Sequence, residues 1–305
     1  MSEVLALFDA ERRRFFSRRV VHAMFAFGIG MATLVLVILT VRSGFRTGHE
    51  GGSAVVCTTT PGNSAPVTIE PGNGELPPGC TFQNQFGEVR RDHRLKIGKN
   101  YSDTINGTGA TAVFVAFVIG ASFIGAEYGA SSLSTQLIFE PRRTRVIAVK
   151  AAAVGFGTAV LTIVLLLYIG LLQWGGSQLR GVVSGLDASW FASRAGDIGR
   201  VAAAVGLAAM ATYAITVVTR RTVAAVAAML VTGWVSAIVG NLAAWRWVSK
   251  YNPASSLLAM AVAPHVAVQD RARTFTAGGA AVASCIWVAG LLVVAAFVFG
   301  RREVR

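Results

Sequence analysis

A short polar stretch between two strongly apolar segments holds the most distinctive charged positions in the middle of this sequence. It runs from Glu127 to Lys150 and includes Glu127, Ser132, Glu140, Pro141, Arg142, Arg143 and Lys150. Carboxylates and guanidinium groups form charge-assisted hydrogen bonds with each other, with phosphate groups and with partner proteins. Apolar residues three to five apart give the stretch one hydrophobic side, and Pro141 ends the predicted helix. The pattern indicates a docking element.

Motifs for catalysis, metal binding or nucleotide binding are absent from the sequence. It has no Gly-x-x-x-x-Gly-Lys-Ser/Thr phosphate loop, no His-Glu-x-x-His, no Cys-x-x-Cys and no Gly-x-Ser-x-Gly. Carboxylates are almost absent from the apolar segments, which argues against a carrier driven by protons or sodium ions. We therefore expect no enzymatic activity, no metal and no cofactor in this chain.

The composition is that of a membrane protein. Hydrophobic residues make up 53% and charged residues 14% of the 305 residues, whereas soluble domains are about 25% charged. The net charge of +13 would suggest nucleic acid in a soluble protein. Here the basic residues flank apolar segments and fix their orientation, so we expect no nucleic-acid partner.

Six apolar segments are long enough to cross a hydrocarbon core of about 30 Å. The sequence therefore predicts an all-α membrane protein whose six transmembrane helices are Val20–Val41, Thr108–Ala126, Val146–Leu172, Val201–Val218, Thr222–Ala244 and Gly278–Gly300. Lys150 lies one turn inside the third segment, where its long side chain is expected to reach the headgroups.

The first 19 residues form an imperfect amphipathic helix, because Glu11 and Arg12 intrude on its apolar face. We expect this helix to lie along the cytosolic membrane surface, with Arg12, Arg13 and Arg14 as anchors. A plain basic cytosolic tail is the alternative.

Orientation follows from the density of basic residues in short loops. Those beside helix ends crowd into residues 1–19, 127–145 and 219–221 and the tail 301–305, which places both termini in the cytosol. The loops 42–107, 173–200 and 245–277 are then external. In the last of these, Trp245 and Trp247 are expected at the membrane interface. Residues 252–264 are too short to span, so they either re-enter the outer leaflet or lie on it.

The external region 42–107 is rich in Gly, Pro, Thr and Asn, which favours turns and short strands over helices. It contains Cys57 and Cys80. On the oxidising outer face a disulfide between them is expected. Cys285 lies inside the sixth segment and is expected to be a packing residue.

Residues 127–150 resemble the cytosolic loop of the type-2 ABC exporter permease family. Many members carry a Glu, a small or hydroxyl residue about five positions later, then a Pro, an Arg and a Lys that opens the next helix. The matching positions are Glu127, Ser132, Pro141, Arg143 and Lys150. The layout is also similar: an Arg-rich N-terminal helix, six spans, a large first external loop and an Asn-Pro break before the last span. One departure is Ser131-Ser132, where the family commonly has Gly-Thr.

The resemblance implies a six-span permease subunit of an exporter in the cytoplasmic membrane of a bacterium. Two such subunits, identical or related, would form the pathway, and two ATPase subunits would bind ATP and Mg²⁺. The contact with the ATPase would involve Glu127, Ser132, Glu140, Pro141, Arg142 and Arg143. Charge reversal at Arg143 or Glu127 is expected to uncouple ATP hydrolysis from transport without affecting membrane insertion. The resemblance leaves the substrate open within the hydrophobic and amphipathic compounds.

Three other functions are compatible with the sequence. The chain could be a non-transporting membrane scaffold or assembly subunit whose external loop binds a partner. It could also be a polytopic membrane enzyme that works without ATP, or a secondary carrier that needs no ATPase.

Overall fold

The computed structural model describes most of the membrane-embedded sequence and parts of the connecting regions. The described residues are 2–42, 54–57, 66–67, 80–83, 89–90, 95–130, 136, 142–182, 186–239, 251–262 and 277–301. Eight helices in this part of the chain are α1 (Ser2–Phe16), α2 (Arg19–Arg42), α3 (Ile97–Gly129), α4 (Arg143–Arg180), α5 (Ala188–Thr219), α6 (Thr222–Val239), α7 (Pro253–Ala261) and α8 (Ala277–Arg301). Six short strands are β1 (Ala54–Cys57), β2 (Pro66–Val67), β3 (Cys80–Gln83), β4 (Val89–Arg90), β5 (Leu95–Lys96) and β6 (Gly181–Val182).

Five of these helices are long and apolar enough to cross a membrane, which indicates a multi-pass membrane protein. The apolar windows are Arg19–Ile38, Tyr101–Gly129, Thr144–Leu179, Ala188–Thr219 and Gly278–Arg301. The fifth predicted span, Thr222–Ala244, coincides with α6, whose apolar part is shorter, at Thr222–Val235. Residues 240–244, the rest of that predicted span, lie outside the described part of the chain.

Three helices are longer than hydropathy predicted, because they continue into segments expected to be external loops. Helix α3 begins at Ile97, eleven residues before Thr108. Its added turns bury Ile97, Tyr101 and Ile105, which are four residues apart and therefore share one face of the helix. Polar residues between them lower the mean hydropathy, although one face of the segment packs against protein.

The external loop predicted at 173–200 is also largely helical in the structure. Helix α4 continues to Arg180, and α5 already begins at Ala188. Asp187 caps α5: its Oδ1 accepts hydrogen bonds from the backbone N–H of Trp190 at 2.8 Å and from the Ser189 hydroxyl at 2.9 Å. The bond from the Trp190 N–H lowers the pKa of Asp187, so the cap stays ionised at a lower pH than an ordinary aspartate would.

Helix α5 is the most buried of the long helices, and small residues let its neighbours approach closely. A Cβ atom at Gly120 on α3 would overlap the carbonyl oxygen of Ala209 on α5. A Cβ at Gly206 on α5 would lie 2.8 Å from the carbonyl oxygen of Gly155 on α4. In a bilayer, where lipid is as apolar as the side chains, such close backbone packing is what holds helices together.

Short strands occupy part of the predicted external region. Four of them form an antiparallel sheet in the order β2-β1-β3-β4, and β5 pairs with β6 in parallel. Within the larger sheet, Cys57 of β1 lies directly opposite Cys80 of β3. The side chains of both cysteines lie outside what the structure describes. Among the described side chains there is no disulfide, and Cys285 is a free thiol.

The short helix α7 accounts for the apolar run after Asn252-Pro253. Its nine residues extend about 13 Å, too little to cross a bilayer. The Asn252 side chain caps its first turn. At its other end Arg200 of α5 donates from Nη1 to the Met260 carbonyl oxygen at 2.6 Å. Residues 240–250, which include Trp245 and Trp247, and residues 263–276 lie outside the described chain, so re-entry into the bilayer stays a prediction.

Contacts divide the chain into two units. The first comprises Met1–Ile29, Asp103–Leu167 and Ser193–Arg305, and the second comprises Gly30–Ser102 and Tyr168–Ala192. In the second unit Thr33 and Tyr168 share a hydrogen bond of 2.9 Å. All residues of the site described next belong to the first unit.

Candidate functional site

Two carboxylates and two cations lie together where α1, α3 and α4 meet; three of the four side chains are buried, and one cation is partly exposed. They are Glu11 of α1, Arg18 just after α1, Glu127 near the end of α3 and Lys150 near the start of α4, and we call them the charge cluster. The exposed fractions of the Glu11, Glu127 and Lys150 side chains are 1%, 6% and 0%. Charged side chains at such burial occur in proteins only with partners that neutralise them.

Lys150 is the centre of the charge cluster. Its Nζ lies 3.0 Å from Oε2 of Glu11, and it also donates to Oε1 of Glu127 at 3.0 Å, with Oε2 of Glu127 at 2.9 Å. The Glu11–Lys150 pair joins residues 139 positions apart in the sequence. Lys150 therefore binds the N-terminal helix and α3 to α4 at a single point.

Arg18 is the second cation that pairs with Glu127. Its Nη2 donates to Oε1 of Glu127 at 2.9 Å, and its guanidinium carbon lies 4.2 Å from the centre of the Phe123 ring. Burial lowers the pKa of Arg18, while the negative charges of Glu127 and Glu11 oppose that shift. The cluster thus contains two positive and two negative groups.

Glu11 also contacts the polar segment after α3. Its Oε1 accepts hydrogen bonds from Arg14 Nη1 at 2.9 Å and from Gln136 Nε2 at 2.8 Å. Gln136 lies inside the 127–145 segment that the sequence singled out. The two helices that flank this segment, α3 and α4, thus contribute Glu127 and Lys150 to the charge cluster, and the segment itself is bound to it through Gln136.

The local sequence explains how α1 brings Glu11 to Lys150. Phe15, four residues after Glu11, is fully buried and lies on the same face of α1. A Cβ atom at Gly157 of α4 would overlap the Phe15 ring. Since Gly157 follows Lys150 by two helical turns, a single face of α4 accepts both the aromatic ring and the carboxylate.

The position of Lys150 corrects the sequence-based expectation. Its side chain does not reach headgroups, because it is fully buried between Glu11 and Glu127. If Lys150 extended into water, Glu11 and Glu127 would lose its ammonium group as a partner. Leaving buried carboxylates without a partner costs more free energy than hydration of the ammonium group would recover.

The arginines predicted as anchors on α1 are exposed and paired. Arg12 and Arg13 both contact Asp9, at 2.6 Å and 2.9 Å, and the hydrogen bond from Arg12 lowers the pKa of the Asp9 carboxyl. Arg14 is exposed apart from its bond to Glu11. Anchoring in a membrane surface stays a prediction for all three.

Of the predicted ATPase-contact residues, only Glu127 and Arg142 have described side chains. Glu127 is buried, and Arg142 is exposed just before α4, where its carbonyl accepts from the backbone N–H groups of Arg145 and Val146. Arg143 begins α4, but its side chain lies outside the described part, as do Ser132, Glu140 and Pro141. A contact with an ATPase is therefore still a prediction.

Sequence reasoning missed the roles of Glu11, Arg18 and Gln136. A signal was present, because Glu11 interrupts an apolar helix face and Lys150 interrupts an apolar span. Two such interruptions of opposite charge can cancel each other's cost of burial when they meet. The sequence does not show, however, that Glu11 and Lys150 are close in space. Glu127 lies so near the end of its predicted span that its burial was not recognised.

The charge cluster connects three helices through paired charges. Every charged group in it has a partner of opposite charge, and none of its described contacts is to a serine or cysteine nucleophile. Among the described residues, no group of three or more His, Cys, Asp or Glu side chains could hold a metal ion.

No protein-family model matches the chain, and no curated protein matches it significantly.

Proposed function

We propose that this chain is the membrane-spanning permease subunit of an ATP-driven ABC exporter, energised by a separate ATPase subunit. The observation that carries the proposal is the connection of α1, α3, α4 and Gln136 through the charge cluster. A protein that pressed on residues 127–145 would act on three helices at once. A coupling element needs this property, because force must pass from a soluble partner into the membrane helices.

The free energy needed to break the charge cluster explains how force would pass from the ATPase to the membrane helices. Separating one partner from a buried charged pair costs about 3–5 kcal/mol, so the three helix ends move as one body. Two copies of the ATPase would close on binding ATP and displace this body in each of two permease subunits, identical or related. ATP binding would then favour one of two arrangements of the pathway.

In this proposal the chain lies in the bacterial cytoplasmic membrane with six spans and with both termini in the cytosol. Helix α6, which begins directly after Arg220 and Arg221, would become the fifth span together with residues 240–244. Helix α1 would lie along the inner surface. The substrate would be hydrophobic or amphipathic, which suits apolar, closely packed helices such as α3, α4 and α5.

The buried carboxylates also favour a second candidate, a secondary carrier. Ionisable groups inside membrane proteins often mark proton pathways, and Glu11 and Glu127 are such groups. The carrier would transport its substrate in vesicles under an ion gradient with no ATPase present. The exporter would not.

Purification under mild detergent tests the proposed function. An affinity-tagged chain should retain an ATP-binding cassette protein with a lone ATPase domain in a one-to-one ratio, and the complex should hydrolyse ATP. A homogeneous preparation of this chain alone, which transports without ATP, would support the carrier instead. Recovery with an external partner and with no transport of any kind would favour a scaffold.

We also propose a disulfide between Cys57 and Cys80. Directly opposed residues in an antiparallel pair have Cα atoms about 4.5–5.5 Å apart, within the range that a disulfide requires. It would close a 24-residue loop, counted from Cys57 to Cys80, and stabilise the folded region by about 3 kcal/mol.

Maleimide labelling of right-side-out vesicles measures this pairing. Labelling of Cys57 and Cys80 should require denaturation together with a reductant, and a Cys285→Ser background removes the one described free thiol. If both residues label under denaturing conditions without a reductant, the disulfide is absent.

A further inference from the structure

A half-open cavity of about 290 Å³ lies beside the charge cluster. Its walls come from the start of α2, the last turns of α3 and the first residue of α6. Most of the lining is apolar, including Val21 and Phe123, while Arg18 contributes a positive charge. The cavity thus joins an apolar surface to a single cation at the ends of three apolar helices.

Arg18 has hydrogen-bond donors to spare at this cavity. A guanidinium has five N–H donors, and among the described residues Arg18 uses only Nη2, which donates to Glu127. The ion pair with Glu127 and the stacking on Phe123 hold the group in place. A fixed guanidinium with unused donors matches the oxygen atoms of a phosphate.

The surrounding charge also favours an anion. Thr222 lines the cavity and is the first residue of the 18-residue helix α6, whose first amides have no partner within the helix. Arg220 and Arg221 precede it and are exposed. These cations would attract an anion without lining the cavity itself.

We propose that this cavity binds an anionic phospholipid. The phosphate accepts hydrogen bonds from Arg18, and the first part of an acyl chain lies along Val21 and Phe123. A soluble anion would leave the apolar wall uncovered, and an apolar molecule would leave the donors of Arg18 unused. The bound lipid would connect α2, α3 and α6 next to the charge cluster. This inference does not depend on an ATPase partner.

Native mass spectrometry of the full chain, released from nanodiscs, tests the site. In equal mixtures of phosphatidylglycerol and phosphatidylcholine, the chain should retain phosphatidylglycerol preferentially. Arg18→Gln should reduce this preference about fivefold to tenfold, as expected for the loss of charge-assisted hydrogen bonds. Arg19→Gln is the matched control: it removes the same charge one residue away and should change the preference less than about twofold, a small effect for an exposed charge.

A second variant fills the cavity and leaves the charges in place. Ala126 is exposed and lines the cavity, so Ala126→Leu should displace the lipid even if Arg18→Gln does not fold. Full retention of the preference in Ala126→Leu overturns the proposal, as does an equal loss in Arg19→Gln. Complete displacement of phosphatidylglycerol by millimolar glycerol phosphate would also overturn it, since the site would then belong to a soluble anion.

Discussion

A Lys150→Met variant is expected to lose most of its folded, monodisperse protein. Methionine fits the space, but it leaves Glu11 without its buried cation and Glu127 with Arg18 alone. Loss of one partner from a buried ionic group costs about 3–5 kcal/mol, a large part of the stability of a typical protein. The measurement is the yield and the melting temperature of the purified chain in detergent.

The double variant Glu11→Gln/Lys150→Met separates charge from packing. It removes one charge of each sign and keeps the Glu127–Arg18 pair, and the amide oxygen introduced on α1 can still accept from Gln136. We expect it to recover most of the yield that Lys150→Met loses. If the double variant is as unstable as the sum of its single changes, the ion pair does not hold α1 to α4.

Charge reversal by Glu127→Lys is expected to be the other severe change. It would place a third cation beside Lys150 and Arg18, with Glu11 as the one remaining carboxylate among the four. Like charges at such distances and burial repel strongly, so α1 should detach and the melting temperature should fall below that of the unaltered chain. Limited proteolysis near residue 17, between α1 and α2, would report the detachment.

Arg142→Glu is the matched control for Glu127→Lys. It also changes the charge by two, at an exposed residue of the same polar segment, and it should fold normally while impairing ATP-coupled transport. Reversal at Glu127 therefore tests how α1 is held against α3 and α4, and the sequence-based expectation that it leaves membrane insertion intact stays a prediction. Equal stability of both variants would show that Glu127 contributes nothing to the helix junction.

Hydropathy predicted the positions of the helices well but not their ends. The apolar cores of α2 through α5 and of α8 coincide with predicted spans, because a bilayer requires about 20 apolar residues in succession. The added turns at 97–107 and 188–200 contain polar residues that lower the mean hydropathy, although Ile97, Tyr101 and Ile105 are buried along one face. Window averages discard that asymmetry, which only the three-dimensional contacts reveal.

The sequence predicted where the site lies, but not that its charged side chains are buried and paired with each other. The segment from Glu127 to Lys150 was recognised from its charges, and both of its terminal residues belong to the charge cluster. Glu127 was interpreted as a contact for an ATPase, and Lys150 as a lysine whose side chain reaches the headgroups. Their actual environment depends on Glu11, which is 139 positions from Lys150, and on Gly157, whose missing side chain admits Phe15. Neither relation can be inferred from the local sequence.

In the proposed function an ATPase binds the segment between α3 and α4 from the cytosol. The test places a photoreactive amino acid at Arg142, which is exposed just before α4, and another at exposed Ala195 near the start of α5 as the control. Illumination of cells should link residue 142, and not residue 195, to an ATP-binding cassette protein. Capture of that protein from residue 195 alone, or from neither position, would contradict the proposed function.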